Sequence, residues 1–108
     1  MDILLHSNSI KHHFMRDLGA EYVGFRDIFP DSVTVIKEGG LKTTYRSISK
    51  KSREPNLIGA LYSFHNIEIL LSVKNTDVAI KYHNDWYLYP EVSGYDAFSN
   101  ILKNYVLD

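Results

Sequence analysis

Five histidines are the side chains of this chain best suited to acid–base or metal chemistry at neutral pH, because the ordinary pKa of imidazole is about 6.5. They are His6, His12, His13, His65 and His83. His6 and His13 would share one face of a helix, but helical metal pairs usually stand four residues apart and no carboxylate completes a ligand set here. The sequence therefore predicts no metal site.

His65 and His83 suggest a second kind of chemistry. Both fall at predicted turns or strand ends, from which they could approach each other across a sheet, with Lys81 nearby. Two such imidazoles can serve as the general acid and general base of a metal-independent nuclease. The spacing does not require it, because polar residues are ordinary at hairpin turns. The small nuclease is therefore kept as an alternative function.

Signatures of other chemistry are missing from the sequence. It has no cysteine, no Gly-x-Ser-x-Gly motif and no glycine-rich phosphate loop, and a hairpin turn accounts for Gly39-Gly40. The acidic residues of its second half are scattered rather than paired. We therefore expect no enzyme activity and no cofactor.

An aromatic hairpin at residues 81–90 holds the only tryptophan and three of the eight tyrosines. Strand alternation puts Trp86 and Leu88 on one face and Tyr87 and Tyr89 on the other, so we expect one pair under the helices and one pair facing outward. Tyrosine and tryptophan are enriched at interface hot spots. The sequence thus predicts a protein-binding site made by Tyr87, Tyr89, Asp85, Glu91 and His83.

Charge is distributed unevenly along the chain. Residues 37–53 carry six basic side chains and one acidic side chain, Glu38, which gives this window a net charge of +5. The net charge of the whole chain is −1, so the residues outside the window carry a net charge of −6. The second predicted binding surface lies in this window and comprises Lys42, Arg46, Lys50, Lys51 and Arg53. Contacts from this segment to phosphates make a nucleic-acid-binding protein the other alternative. A sequence pI near 6.5 argues against it, because dedicated binders usually exceed about 9.

Periodicity outlines the N-terminal half. Apolar positions three or four residues apart from Ile3 to Leu18 predict a helix, with Gly19 as its stop. Residues 20–32 are predicted to be irregular. Two strands, 33–38 and 41–46, are predicted to form a hairpin through Gly39-Gly40.

Four strands and a helix are predicted for the C-terminal half. The strands are residues 57–64, chosen over a helix, then 67–73, 78–82 and 86–89, and their short connections indicate an antiparallel meander. A helical apolar stripe begins at Tyr95 and runs to the chain end. The predicted fold class is α+β: an antiparallel β-meander of five or six strands, with an N-terminal and a C-terminal helix packed on one face, in a single domain of residues 1–108.

A small chain of mixed charge, with an aromatic sheet face and no catalytic motif, is typical of a binding module. Our leading prediction is an inhibitor or immunity protein of bacterial type that occludes a toxin enzyme, so the expected partner is a toxin domain. An acid at position 2, the absence of a long apolar run and the lack of cysteine favour a cytoplasmic protein without a membrane partner. A homodimer through the aromatic sheet satisfies the same features.

Overall fold

The computed structural model describes residues 3–37, 39–46 and 57–106, and it confirms an α+β fold with a helix near each end. The helices are α1 (Ile3–Leu18) and α2 (Tyr95–Val106). The strands are β1 (Glu21–Ile28), β2 (Ser32–Ile36), β3 (Lys42–Arg46), β4 (Leu57–Phe64), β5 (Ile67–Ser72), β6 (Val78–Tyr82) and β7 (Asp85–Tyr89). No helix within these described ranges is long and apolar enough to cross a membrane.

The seven strands form one mixed sheet in the order β1-β4-β5-β6-β7-β2-β3. The meander from β4 to β7 is antiparallel throughout, as predicted, and β2 and β3 form the predicted hairpin. Two parts of the predicted fold are wrong. The described residues form seven strands rather than five or six, and β2 runs parallel to β7, so the sheet is not purely antiparallel.

The additional strand is β1, in a segment predicted to be irregular. It pairs with β4, and its register shifts at a bulge between Tyr22 and Gly24. A bulge inserts an extra residue and so breaks the period-two alternation of apolar side chains that identifies a strand. Gly24 also weakens the signal, since glycine is depleted in strands.

The connection between β1 and β2 requires the sheet to curl. Residues 29–31 join β1 to β2, which are the first and the sixth strands in the order of the sheet. In a flat sheet these strands would be about 24 Å apart. The four Cα–Cα steps from Ile28 to Ser32 reach about 15 Å at most. The sheet therefore rolls up, and Ile28 packs with Val33 in one cluster.

Two apolar cores result, one on each face of the sheet. On the helix side, Met15 of α1 and Phe98 of α2 pack on sheet residues that include Ile69 and Ile80. The second core lies inside the curl and comprises Val33, Leu57, Leu61, Leu70, Ala79 and Trp86. Trp86 is 7% exposed, so the expectation that one face of the aromatic hairpin is open to solvent is wrong.

Helix α1 ends as the sequence predicts. Gly19 has a φ of 82°, and its amide donates to the Arg16 carbonyl at 3.0 Å. The Ala20 amide donates to the Met15 carbonyl, also at 3.0 Å. This pair of hydrogen bonds is the Schellman motif, which requires a left-handed residue that glycine adopts without strain.

Lys11 of α1 is fully buried, which is uncommon for a lysine. Its Nζ donates to the Thr76 carbonyl at 2.7 Å, and the same carbonyl accepts the Val92 amide at 3.2 Å. Burial lowers the pKa of Lys11 to about 8, while the charge of Asp77 acts in the opposite direction. The lysine thus ties α1 to the β5–β6 connection and to the segment before α2.

We expect this burial to make stability depend on pH. Between about pH 8 and the ordinary lysine pKa of 10.5, the unfolded chain holds a proton at Lys11 that the folded protein has lost. The free energy of unfolding should therefore rise with pH over this range. The difference in unfolding free energy between the wild type and Lys11→Met, followed by urea titration at several pH values, isolates the effect. A difference that stays constant above pH 8 would contradict the assignment.

Candidate functional site

A polar pocket lies where two neighbouring hairpins turn. The β4–β5 turn at residues 65–66 and the β6–β7 turn at residues 83–84 fall at the same end of the sheet, because both connect antiparallel strands of the meander. The pocket has a volume of about 350 Å³. It is lined by Ser63, His65, Asn66, Ile67, Glu68, Lys81, His83 and Asn84, which we call the hairpin-tip site.

Strand register explains why these side chains meet. Glu68 lies opposite Ser63 on β4 and opposite Lys81 on β6, and Lys81 lies opposite Trp86 on β7. Directly paired residues share a face of the sheet, so this polar row is on the face that carries the second core. The hairpin-tip site therefore lies at one end of the second core, on the same face of the sheet.

The two histidines at this site have an unusual backbone. His65 has a φ of 54° and His83 a φ of 52°, and Asn84 follows with 68°. Few residues other than glycine adopt these angles, although histidine and asparagine do so more often than most. Each histidine ring packs on the aromatic side chain before it, at 4.2 Å from Phe64 and 4.0 Å from Tyr82 between centroids. Both rings are thereby held at exposed turns beside the pocket.

The five residues predicted for the protein-binding site do not form one surface. His83 is at the hairpin tip, and the exposed Asp85 closes the same turn. Glu91 lies beyond the opposite end of β7, where its amide donates to Asp77 Oδ1 at 3.0 Å. Tyr87 and Tyr89 lie between these ends, on the face that α2 covers. The structure therefore groups His83 with His65 rather than with Glu91.

Tyr87 and Tyr89, the two central residues of the predicted protein-binding site, belong to a cluster of tyrosines. Tyr105 of α2 packs against Tyr82 at 5.4 Å and against Tyr87 and Tyr89 at 6.2 Å between ring centroids. The hydroxyls of Tyr89 and Tyr105 are hydrogen-bonded. Burial raises the pKa of both phenols, so they stay neutral at physiological pH. These contacts fix α2 on the sheet.

The second predicted surface is described only in part. Lys42 is exposed on β3, opposite Ile36, and Arg46 lies opposite Ser32 on the same strand pair. Positions 42 and 46 share a face of β3, as the alternation predicts. Lys50, Lys51 and Arg53 lie outside the described residues.

The N-terminal histidines have structural surroundings. His12 Nδ1 is hydrogen-bonded to the Tyr62 hydroxyl at 2.7 Å, which joins α1 to β4. Burial lowers the pKa of His12, helped by the positive charge of Arg16, so the imidazole is neutral at neutral pH. His13 is exposed. In the part of the chain that the structure describes, no group of three or more histidine or acidic side chains is arranged to hold a metal ion.

One surface was missed by sequence reasoning altogether. Strand β1 exposes Tyr22 at 57%, Phe25 at 56% and Val23 at 39%, and β4 is its only partner among the described strands. An exposed apolar strand at a sheet edge is unusual, because it can pair with another chain. The signal was present in the sequence as three β-favouring residues within four positions, which the bulge and Gly24 obscured.

Comparison of this chain with protein-family models, curated proteins and solved structures finds no match.

Proposed function

We propose that this chain is a non-catalytic protein-binding module, an inhibitor that blocks a toxin enzyme by presenting the hairpin-tip site to it. One observation carries the proposal. Two histidines stand in left-handed conformations at adjacent turns, around a pocket shared with Glu68 and Lys81. Two-residue hairpin turns require a positive φ and usually place glycine, asparagine or aspartate there. Histidine is a less favourable choice at such a position, and strained residues cluster at functional sites, which supports a role in recognition.

The chemistry of the tips suits recognition. Glu68 and Asp85 are acidic, Lys81 is basic, and each imidazole ring offers two nitrogen atoms for hydrogen bonding. Charged and polar groups arranged in this way give specificity and fast association. Because the tips end two hairpins whose strands are packed in both cores, they are presented by a rigid scaffold. As part of the same proposal we place the protein in the cytoplasm, since a chain without cysteine suits a reducing compartment.

The same geometry supports one second candidate. His65, His83 and Lys81 line one pocket, as a metal-independent nuclease requires of its general acid, general base and phosphate-binding cation. Binding and turnover can be separated with one pair of substitutions. His65→Asn with His83→Asn removes both imidazoles and keeps residues that tolerate a positive φ.

We expect this double variant to bind the partner at least about 10-fold more weakly, which corresponds to about 1.4 kcal/mol. The partner is first purified from native lysate with the wild type, and its affinity for each variant is then measured by biolayer interferometry. His13→Asn, an exposed change on α1, serves as the control and should bind like the wild type. Thermal unfolding should show all three proteins folded alike.

Two outcomes would contradict the proposal. Unchanged affinity of the double variant for the purified partner would remove the hairpin-tip site from the interface. Cleavage of single-stranded RNA by the wild type in the presence of EDTA, lost in the double variant, would establish the nuclease instead of the inhibitor.

A further inference from the structure

The exposed edge of β1 carries a self-complementary pattern. From its start the strand reads Glu21-Tyr22-Val23-Gly24-Phe25-Arg26, with an acid and a base at the two ends and an aromatic residue inside each. If a second copy of this strand runs antiparallel to the first about a centre between Val23 and Gly24, Glu21 faces Arg26 and Tyr22 faces Phe25. Opposite charges and aromatic rings directly across from each other are the pairs that stabilise a sheet.

In a regular strand this register would fail. Residues 22 and 25 have opposite parity and would project from opposite faces. The bulge corrects this, because Tyr22 lies opposite Tyr62 and Phe25 lies opposite Ala60 on β4. Positions 60 and 62 of a strand share a face, so Tyr22 and Phe25 share a face too.

The charged pair obeys the same rule. Glu21 lies opposite Ser63 and Arg26 opposite Gly59, two positions of β4 that also share a face. That face is the opposite one from the aromatic pair. The bulge thus places the two members of each pair on the same face of the sheet. Pairing about a two-fold axis perpendicular to the sheet requires this arrangement.

We propose that two copies of this chain associate through β1, antiparallel, with Glu21 facing Arg26 of the second copy and Tyr22 facing its Phe25. The two-fold axis makes each contact twice, so one register satisfies two ion pairs and two aromatic pairs. A second copy fits better than an unrelated strand, because the complementary charges and rings are all supplied by this one segment. The association uses the edge of β1, and it adjoins the hairpin-tip site only at Glu21, which lies opposite Ser63.

Arg26 must change its contact when the copies pair. In the single chain its guanidinium curls back and donates to the Phe25 carbonyl at 2.9 Å, at the surface. An exposed hydrogen bond of this kind is replaced at little cost. Since the contact is a single strand pair, smaller than a standard interface, we expect association in the micromolar range.

Charge reversal tests both the partner and the register. Sedimentation velocity across a wide range of protein concentration should show the wild type passing from monomer to dimer. Glu21→Arg alone and Arg26→Glu alone each place like charges across both pairs, so each should weaken the dimer at least about 10-fold. The two changes combined restore opposite charges and should restore the dimer. Asp96→Arg, an exposed change on α2, is the control and should leave it unaffected.

Any of three results would overturn the inference: a wild type that stays monomeric, single reversals that dimerise like the wild type, or a double reversal that fails to recover. A monomeric wild type whose β1 edge is instead occupied by a strand of another protein would also overturn it. None of these results alters the expected behaviour of the His65/His83 variant, so failure here and failure of the proposed function are distinguishable.

Discussion

Trp86→Ala is expected to lower the free energy of unfolding by about 3–5 kcal/mol, the range for removing a large aromatic side chain from a core. Trp86 is 7% exposed and packs in the second core with Leu61, Leu70 and Ala79. Because that core is enclosed by the curl of the sheet, its neighbours have little freedom to close the cavity. For a chain of this size, such a loss is a large part of total stability.

Urea unfolding followed by circular dichroism measures this loss, since the variant lacks the only tryptophan and its fluorescence. Leu41→Ala is the control: it removes a large apolar side chain that is 65% exposed. We expect it to change stability by less than about 0.5 kcal/mol. Equal effects of the two changes would show that Trp86 is not a core residue, and would return the aromatic hairpin to consideration as a binding anchor.

Gly59→Ala is the second change with a large expected effect, about 3 kcal/mol of destabilisation, at the upper end for overpacking. A methyl carbon at this position would overlap the Leu71 carbonyl oxygen and lie 2.7 Å from the Leu71 carbonyl carbon. It would also lie 3.0 Å from the Ser72 Cα. All three atoms belong to the backbone, so no side-chain rotation relieves the clash. Strands β4 and β5 would have to separate at this point.

Ser63→Ala, on the same strand and half-buried, controls for a general sensitivity of β4. We expect its denaturation midpoint to stay near that of the wild type. If thermal denaturation gives Gly59→Ala the same midpoint as the wild type, the close approach of β4 and β5 at this position is excluded.

Most of the elements could be predicted because their patterns are local. The β-branched residues and the Gly-Gly pair indicated β2 and β3, and short connections between apolar segments indicated the strands of the meander. In β5 the alternate positions Ile67, Ile69 and Leu71 are buried, whereas Val73, the last residue of the predicted strand, lies beyond the observed strand and is 51% exposed. A period-two pattern identifies a strand's buried face, but it does not say where the strand ends.

The parallel pairing of β2 with β7 and the curl of the sheet could not be predicted, because no local pattern encodes which distant strands become neighbours. The curl also explains the error in the aromatic hairpin. Sequence reasoning assigned one cover to the sheet, so one hairpin face had to be free. In the structure the sheet covers its own second face, and Trp86 faces inward there.

The hairpin-tip site was partly foreseeable. Turns at alternate connections of an antiparallel meander fall at one end of the sheet, which is why the sequence allowed His65 and His83 to approach each other. The backbone of both histidines is left-handed, and each ring packs on the aromatic residue before it. Both features depend on the geometry of the turns, which the residue types alone do not specify.

The order of strands in the sheet also constrains how the chain acquires its structure. Strands β4 to β7 follow one another directly in the sequence and pair through local contacts. The parallel seam between β2 and β7, by contrast, brings together Val33 and Trp86, more than fifty residues apart. Forming such a contact requires closing a long loop before any stabilisation is gained, which slows folding. We therefore expect the meander to form first and the N-terminal strands to join it in a slower step that closes the second core.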